Sequence, residues 1–434
     1  MCATTRYSLE VEIADRFRAV RTRTLALCAP LTPEDMMVQS TPEASPVKWH
    51  LAHTAWFFES FILREFVSGY RLFNKDFPWL FNSYYQSLAP FPEKRLRASF
   101  SRPSLTEVLG YRHHVDEAIE RMLERNPDPE ALKRIELGLN HEEQHQELIL
   151  MDTLHAFFTN PLRPAYLELE TPGDGGSQHA RLKKRAQGNP AMGFMPFEGG
   201  LREVGHGNEG FCFDNEQPRH RVWLERYSLA NRLVTCAEYA EFMADGGYRR
   251  PEFWLSAGWM AVQTLGWRAP LYWTTESGEW SVYTLRGELP LARMEQAPVC
   301  HMSYFEADAY ARWAGRRLPT EFEWEAAVEG KPVSGNLLDA GRLMPAPVAE
   351  NDPDESRTQF YGDCWEWTSS AYLGYPGYRP EAGSLGEYNG KFMSGQMVLR
   401  GGACVTPADH VRASYRNFFS PESRWQFSGI RLAF

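Results

Sequence analysis

His141-Glu142-Glu143-Gln144-His145 lies inside an apolar run that continues through Leu148, Ile149, Leu150 and Leu154. Apolar residues at three- and four-residue spacing mark one face of an amphipathic helix. The two histidines therefore stand one turn apart on the same side, where both imidazoles can reach a single metal ion. Asp128-Pro129-Glu130 supplies the start of this helix, which is expected to run to about Phe158.

Three further helices are expected upstream. Helical spacing from about Leu9 to Leu27 ends at Ala29-Pro30, and Ser104-Leu105-Thr106-Glu107 is a capping box opening a helix to about Leu123. Ser45-Pro46 reads as a cap hydroxyl followed by proline, and the helix after it carries Trp49, His50, Leu51, His53, Trp56, Phe57, Phe58 and Phe61. Thr32-Pro33-Glu34 is a start signal with little helix behind it. Four antiparallel amphipathic helices make a bundle in which facing side chains can build a metal site. A lone histidine on an apolar helix is usually a hydrogen-bonded core residue, but one facing a histidine pair is a candidate third ligand. Spacing alone leaves His50 and His53 both open, and three neutral nitrogens with open positions suit Fe(II) or Zn(II).

The same five residues fit the zinc-peptidase string H-E-x-x-H, with Glu142 as base. That reading needs a downstream ligand. Met151 occupies the metzincin third-histidine position, and Glu168 and Glu170 lie past Pro161, at the exit from the bundle.

The chain has 434 residues and a formal net charge of -10, which argues against nucleic-acid or anionic-membrane partners and for small substrates. It shows no apolar run long enough to span a bilayer and no signal-peptide core at Met1 to Arg6, so a cytoplasmic location is expected. Cys2, Cys28, Cys212, Cys236, Cys300, Cys364 and Cys404 are scattered, which fits reduced thiols.

Most of the 14 Trp fall in the second half, implying two unlike domains. Glu170 to Ser177 is turn-rich and Arg181 to Arg185 charged. The expected division is a helical bundle over residues 1–170, a linker over 171–192 and a second domain over 193–434. In the second domain, helices are expected at Tyr304 to Ala314 and Thr235 to Met243 among short strands and irregular loops.

Gly315 to Glu325, Trp365-Glu366-Trp367-Thr368, Leu399 to Gly402 and Gly429 to Ala433 resemble the formylglycine-generating-enzyme, or sulfatase-modifying-factor, domain. The first half resembles a DinB-like metal-binding bundle. That pairing, with Trp49-His50-Leu51-Ala52-His53 and His141 to His145, is similar to the hercynine oxygenases, the sulfoxide synthases of ergothioneine biosynthesis. The resemblance implies an α+β fold: an N-terminal DinB-like four-helix bundle and a C-terminal C-type-lectin-like domain.

It also implies non-haem Fe(II) on His53, His141 and His145, with O2 as co-substrate. The implied reaction joins a thiol to the imidazole of Nα-trimethylhistidine and oxygenates the sulfur. Gln144 matches a residue that contacts the substrate imidazole, and Asn417 and Phe418 match the pair that receives its betaine end. A proton-donating tyrosine is expected; Tyr84 and Tyr85 are favoured over Tyr378 because their loop joins two bundle helices. Relatives that take γ-glutamylcysteine have Asp where this chain has Phe419, and Lys94, Arg95 and Arg97 only loosely match their loop arginines, so cysteine is the expected thiol. The region of the formylglycine-generating enzymes' cysteine pair retains only Cys404, so the second domain is expected to wall the pocket. The competing readings are a zinc-dependent thiol S-transferase on the same bundle and a non-catalytic ligand-binding module.

Overall fold

The computed structural model describes residues 3–83, 85, 90–169, 191–207, 209–275, 278–348, 359–380, 383–387 and 389–434. The chain forms two compact units. One is Met1–Thr159 with the later segments Glu209–Phe213 and Pro380–Lys391; the other is Asn160–Asn208, Asp214–Arg379 and Phe392–Phe434.

The first unit is built on α1 (Ala3–Cys28), α2 (Val47–Phe58), α3 (Leu105–Leu123) and α4 (Pro129–Thr159). All twelve residues of α2 are buried, as its apolar faces require of a central helix. A π turn, Glu59–Leu63, and one α turn, Arg64–Phe66, extend it. The start of α2 differs from expectation: Pro46 holds the cap position with no side-chain cap. The Ser45 hydroxyl instead accepts from Arg97 Nη1 at 2.8 Å, and Ser45 N donates to Asp152 Oδ2 at 2.8 Å. The Ser104 capping box forms as read, with Ser104 Oγ and Glu107 satisfying each other's main-chain donors. After Thr32-Pro33-Glu34 comes only the single turn Asp35–Met37.

Helices α2 and α4 approach closely because position 138 is glycine. A Cβ there would lie 2.8 Å from Phe58 Cε1 and 3.1 Å from Phe57 Cδ1. Burial of Trp56, Phe57, Phe58 and Phe61 contributes roughly 1.5–3 kcal/mol per side chain. The long connection after α2 is tied back at both ends: Trp56 Nε1 donates to Pro78 O at 2.9 Å, and Lys48 Nζ donates to Phe100 O and Pro103 O at 2.7 and 2.8 Å.

The second unit is mixed. Its four-stranded sheet contains β1 (Trp365–Ala371), β2 (Met397–Arg400), β3 (Asn417–Phe419) and β4 (Ser428–Gly429), in the order β3-β2-β1-β4. Pairing is antiparallel except between β1 and β4. The Trp-Glu-Trp string lies on central β1: Trp365 and Trp367 are buried, and Glu366 takes two bonds from Arg431 at 2.7 and 2.8 Å and one from Trp324 Nε1 at 2.8 Å. Gly401 has φ +98°, and a Cβ there would fall 2.4 Å from Phe360 O, so only glycine fits.

Helices occur at α5 (Cys236–Ala244), α6 (Ser256–Leu265), α7 (Tyr304–Trp313) and α8 (Glu321–Ala327). The second and fourth of these were not expected. Cys28, Cys236, Cys300 and Cys364 are free thiols and buried; Cys404 is also buried and Cys212 half-buried. No helix among the described residues is long and apolar enough to cross a membrane.

Candidate metal centre

Helical spacing puts His141 and His145 on the face of α4 turned to α2, where His53 meets them. The three side chains are buried, and each offers a ligand atom within 4.8 Å of the others. His145 Nε2 and His141 Nε2 are 3.1 Å apart. His53 is stacked between Trp49 and Trp56, at 4.4 and 5.1 Å, its neighbours at i−4 and i+3 on the helix. The Arg97 guanidinium caps this column, 3.4 Å from the centre of the Trp49 ring. Phe57 packs on His141 at 4.7 Å.

The tautomer of His53 follows from its partner. Nδ1 lies 2.7 Å from Phe81 O, which can only accept, so the proton is on Nδ1 and Nε2 carries a lone pair. That Nε2 is buried and has no hydrogen-bond partner among the described residues. Burial pushes the pKa of all three imidazoles down: His53 and His145 fall well below 6.5, and His141 falls to about 3. The arrangement offers neutral nitrogen donors at neutral pH, with one buried lone pair unused. Those are the requirements of a divalent transition-metal ligand set.

The two glutamates between the histidines face the other way. Glu142 accepts from Thr24 Oγ1 at 2.6 Å, Arg21 Nη1 at 2.7 Å and Arg112 Nη2 at 2.9 Å, tying α4 to α1 and α3. Burial pushes its carboxyl up, but the two guanidiniums and their hydrogen bonds outweigh this and hold the pKa at about 2. Glu143 pairs with Arg16 at 3.0 Å and Arg23 at 3.5 Å. An ionised, triply bonded Glu142 is not a free base beside the histidines, so the peptidase reading fails on this geometry.

Gln144 is half-buried on α4, between the two histidines of the motif. Tyr85 is buried, with its ring 5.6 Å from Trp56 and 5.1 Å from Phe61, so Trp56 touches both Tyr85 and His53. Tyr84 lies outside the described residues. Asn417, Phe418 and Phe419 form β3 of the second unit, each half-buried. Asn417 Oδ1 accepts from Phe418 N at 2.9 Å; Phe418 stacks on Tyr372 at 4.1 Å, and Phe419 meets Trp425 edge-on at 5.5 Å. Of the loop cations, Arg97 is buried on Trp49 while Arg95 pairs with exposed Glu93.

Sequence reasoning missed the residues that orient the histidines. The Phe81 carbonyl is a main-chain group and leaves no trace in residue identity. Asp152 did leave one, eleven residues after His141 and so on the same face of α4.

Residues 178–434 match the family model described as a sulfatase-modifying factor enzyme 1-like domain, and residues 16–151 match that of the DinB superfamily. The chain is 31% identical to the hercynine oxygenase of Mycolicibacterium smegmatis, over 97% of this chain and 98% of that protein. It is 30% identical to the hercynine oxygenase of Mycobacterium tuberculosis, with the same shares covered. Similarity to the formylglycine-generating enzyme of Streptomyces coelicolor, 27% identical, covers 52% of this chain and 83% of that protein.

Proposed function

The chain belongs to the hercynine oxygenase family, and from that premise we propose that it is a non-haem Fe(II), O2-dependent sulfoxide synthase of ergothioneine biosynthesis. Its substrates are Nα-trimethylhistidine and a thiol, cysteine in preference to γ-glutamylcysteine. The observation that carries the reading is the buried trio His53, His141 and His145, neutral and with a bare Nε2 on His53. Bound to these nitrogens, iron supplies the redox reactivity toward O2 that no protein side chain has.

The chemistry balances without an outside reductant. The imidazole C–H and the thiol S–H are lost, a C–S bond forms, one oxygen atom goes to sulfur, and the other leaves as water with both hydrogens. The protein's tasks are to hold the imidazole and the sulfur side by side and to deliver a proton. Gln144 carries both a donor and an acceptor and suits the imidazole edge. Phe418, with Tyr372 behind it, offers an aromatic face to a trimethylammonium group, which cannot donate hydrogen bonds. Tyr84 and Tyr85 are the candidate proton donors. Phe419 brings no charge to hold a second substrate ammonium, which supports the smaller thiol.

Anaerobic incubation of the purified protein with Fe(II), trimethylhistidine and cysteine, followed by air, tests the reading. A sulfoxide of the joined substrates is the expected product. Its absence with both thiols contradicts the proposal, and O2-independent transfer of a thiol by the Zn(II)-loaded protein onto an electrophile that carries a leaving group, such as an alkyl halide, points to the S-transferase chemistry instead.

A further inference from the structure

Behind the histidine trio stands a buried imidazole and carboxylate that the reaction above does not use. Asp152 lies seven residues after His145, about 10 Å along the helix axis, too far for direct contact. The gap is bridged from α2. Asp152 Oδ2 is 3.1 Å from His50 Nε2, and His50 Nδ1 is 2.7 Å from His145 Nδ1. Ser45 N donates to the same Oδ2 at 2.8 Å, which anchors the carboxylate. All three side chains are buried: His50 2%, His145 8% and Asp152 6% exposed.

The acceptor at the end fixes the direction of the chain. A carboxylate only accepts, so His50 carries its proton on Nε2 and presents Nδ1 as an acceptor. His145 then donates from Nδ1, which leaves its Nε2 as a lone pair toward His141 and His53. We propose that Asp152 and His50 are positioning residues of the metal centre, a carboxylate–imidazole relay that locks His145 in its ligating tautomer and aims its Nε2. His145 gains from the relay what His53 gains from the Phe81 carbonyl. The proposal rests on the reading of His53, His141 and His145 as metal ligands.

The test uses Co(II) as probe on the full chain, with affinity measured by competition against a chromophoric chelator. His50→Leu removes the acceptor and is expected to weaken Co(II) binding by about 10- to 100-fold, the usual effect of losing such a partner. His50→Gln restores an acceptor for the His145 proton and should recover most of that loss. Proton NMR of the Co(II)-loaded protein adds a readout that a merely structural role would not move. The His145 Nδ1–H should give a hyperfine-shifted, slowly exchanging resonance in wild type and His50→Gln but not in His50→Leu. A folded His50→Leu protein with wild-type affinity and that resonance intact overturns the relay. If His50→Leu does not fold, Asp152→Asn decides, because it keeps the acceptor and loses the charge. Several-fold weaker binding supports the relay, and unchanged affinity and resonance overturn it. Co(II) binding that survives replacement of His53, His141 and His145 together by Ala, with His50 and Asp152 left in place, overturns the ligand assignment itself, which the other outcomes leave standing.

Discussion

Glu142 and His145 sit three residues apart on α4, both buried, and their surroundings differ in kind. Around Glu142 are two guanidiniums and a hydroxyl, each within hydrogen-bonding distance. Around the histidine trio are aromatic rings and imidazoles, with the His53 Nε2 lone pair left over. A buried polar group satisfied by its own fold holds the structure together, whereas one kept neutral and unsatisfied is available to a ligand. The two faces of one five-residue motif thus divide stability from chemistry, and the assignment runs opposite to the peptidase string, where the glutamate is the reactive member.

That division can be broken most forcefully at Glu142. Glu142→Leu leaves Arg21 and Arg112 buried without their shared partner and should cost about 3–5 kcal/mol in urea unfolding, while the folded fraction keeps its metal. The acid limb of stability sharpens the point. The folded-state pKa of about 2 lies below the ordinary 4.5, so this contribution is complete above pH 4.5 and is lost as pH falls through about 2. In Glu142→Leu that limb should flatten, as followed by the urea midpoint against pH.

A smaller effect is expected at Gly138→Ala, where the added methyl collides with the Phe57 and Phe58 rings at about 1–3 kcal/mol. Phe57 lies on His141, so Co(II) affinity should fall with it. The smallest stability effect belongs to His53→Leu. It removes a buried unsatisfied nitrogen but also the donor to the Phe81 carbonyl, so the two effects largely offset and the apo protein should change by no more than about 1 kcal/mol, yet the metal should be lost. A destabilisation as large as that of Glu142→Leu would make His53 a structural residue and erase the contrast.

The bundle was legible because its signals are local. Proline and the Ser104 capping box mark helix starts, and the 3.6-residue period of α4 puts His141 and His145 on one face. The choice between His50 and His53 was not legible from spacing, because both lie on a helix buried on every side; the structure distinguishes them by their neighbours, His53 in the trio and His50 behind His145. In the second unit, α8 had a readable start, Thr320 to Glu323, a capping box embedded in a stretch matched as a family motif. Helix α6 had none, since Leu255 at its cap position makes no side-chain bond and its first turn is Ser-Ala-Gly. The Arg97–Trp49 stack joins residues 48 apart in sequence, and nothing in either local pattern announces it.

Oxygen uptake by the Fe(II)-reconstituted protein, given trimethylhistidine with cysteine or with γ-glutamylcysteine, tests the central claim most directly. The account predicts uptake that needs both substrates, one O2 per sulfoxide formed, a higher rate with cysteine and none in His53→Leu. Absence of thiol-dependent uptake, or uptake undiminished in His53→Leu, would contradict it.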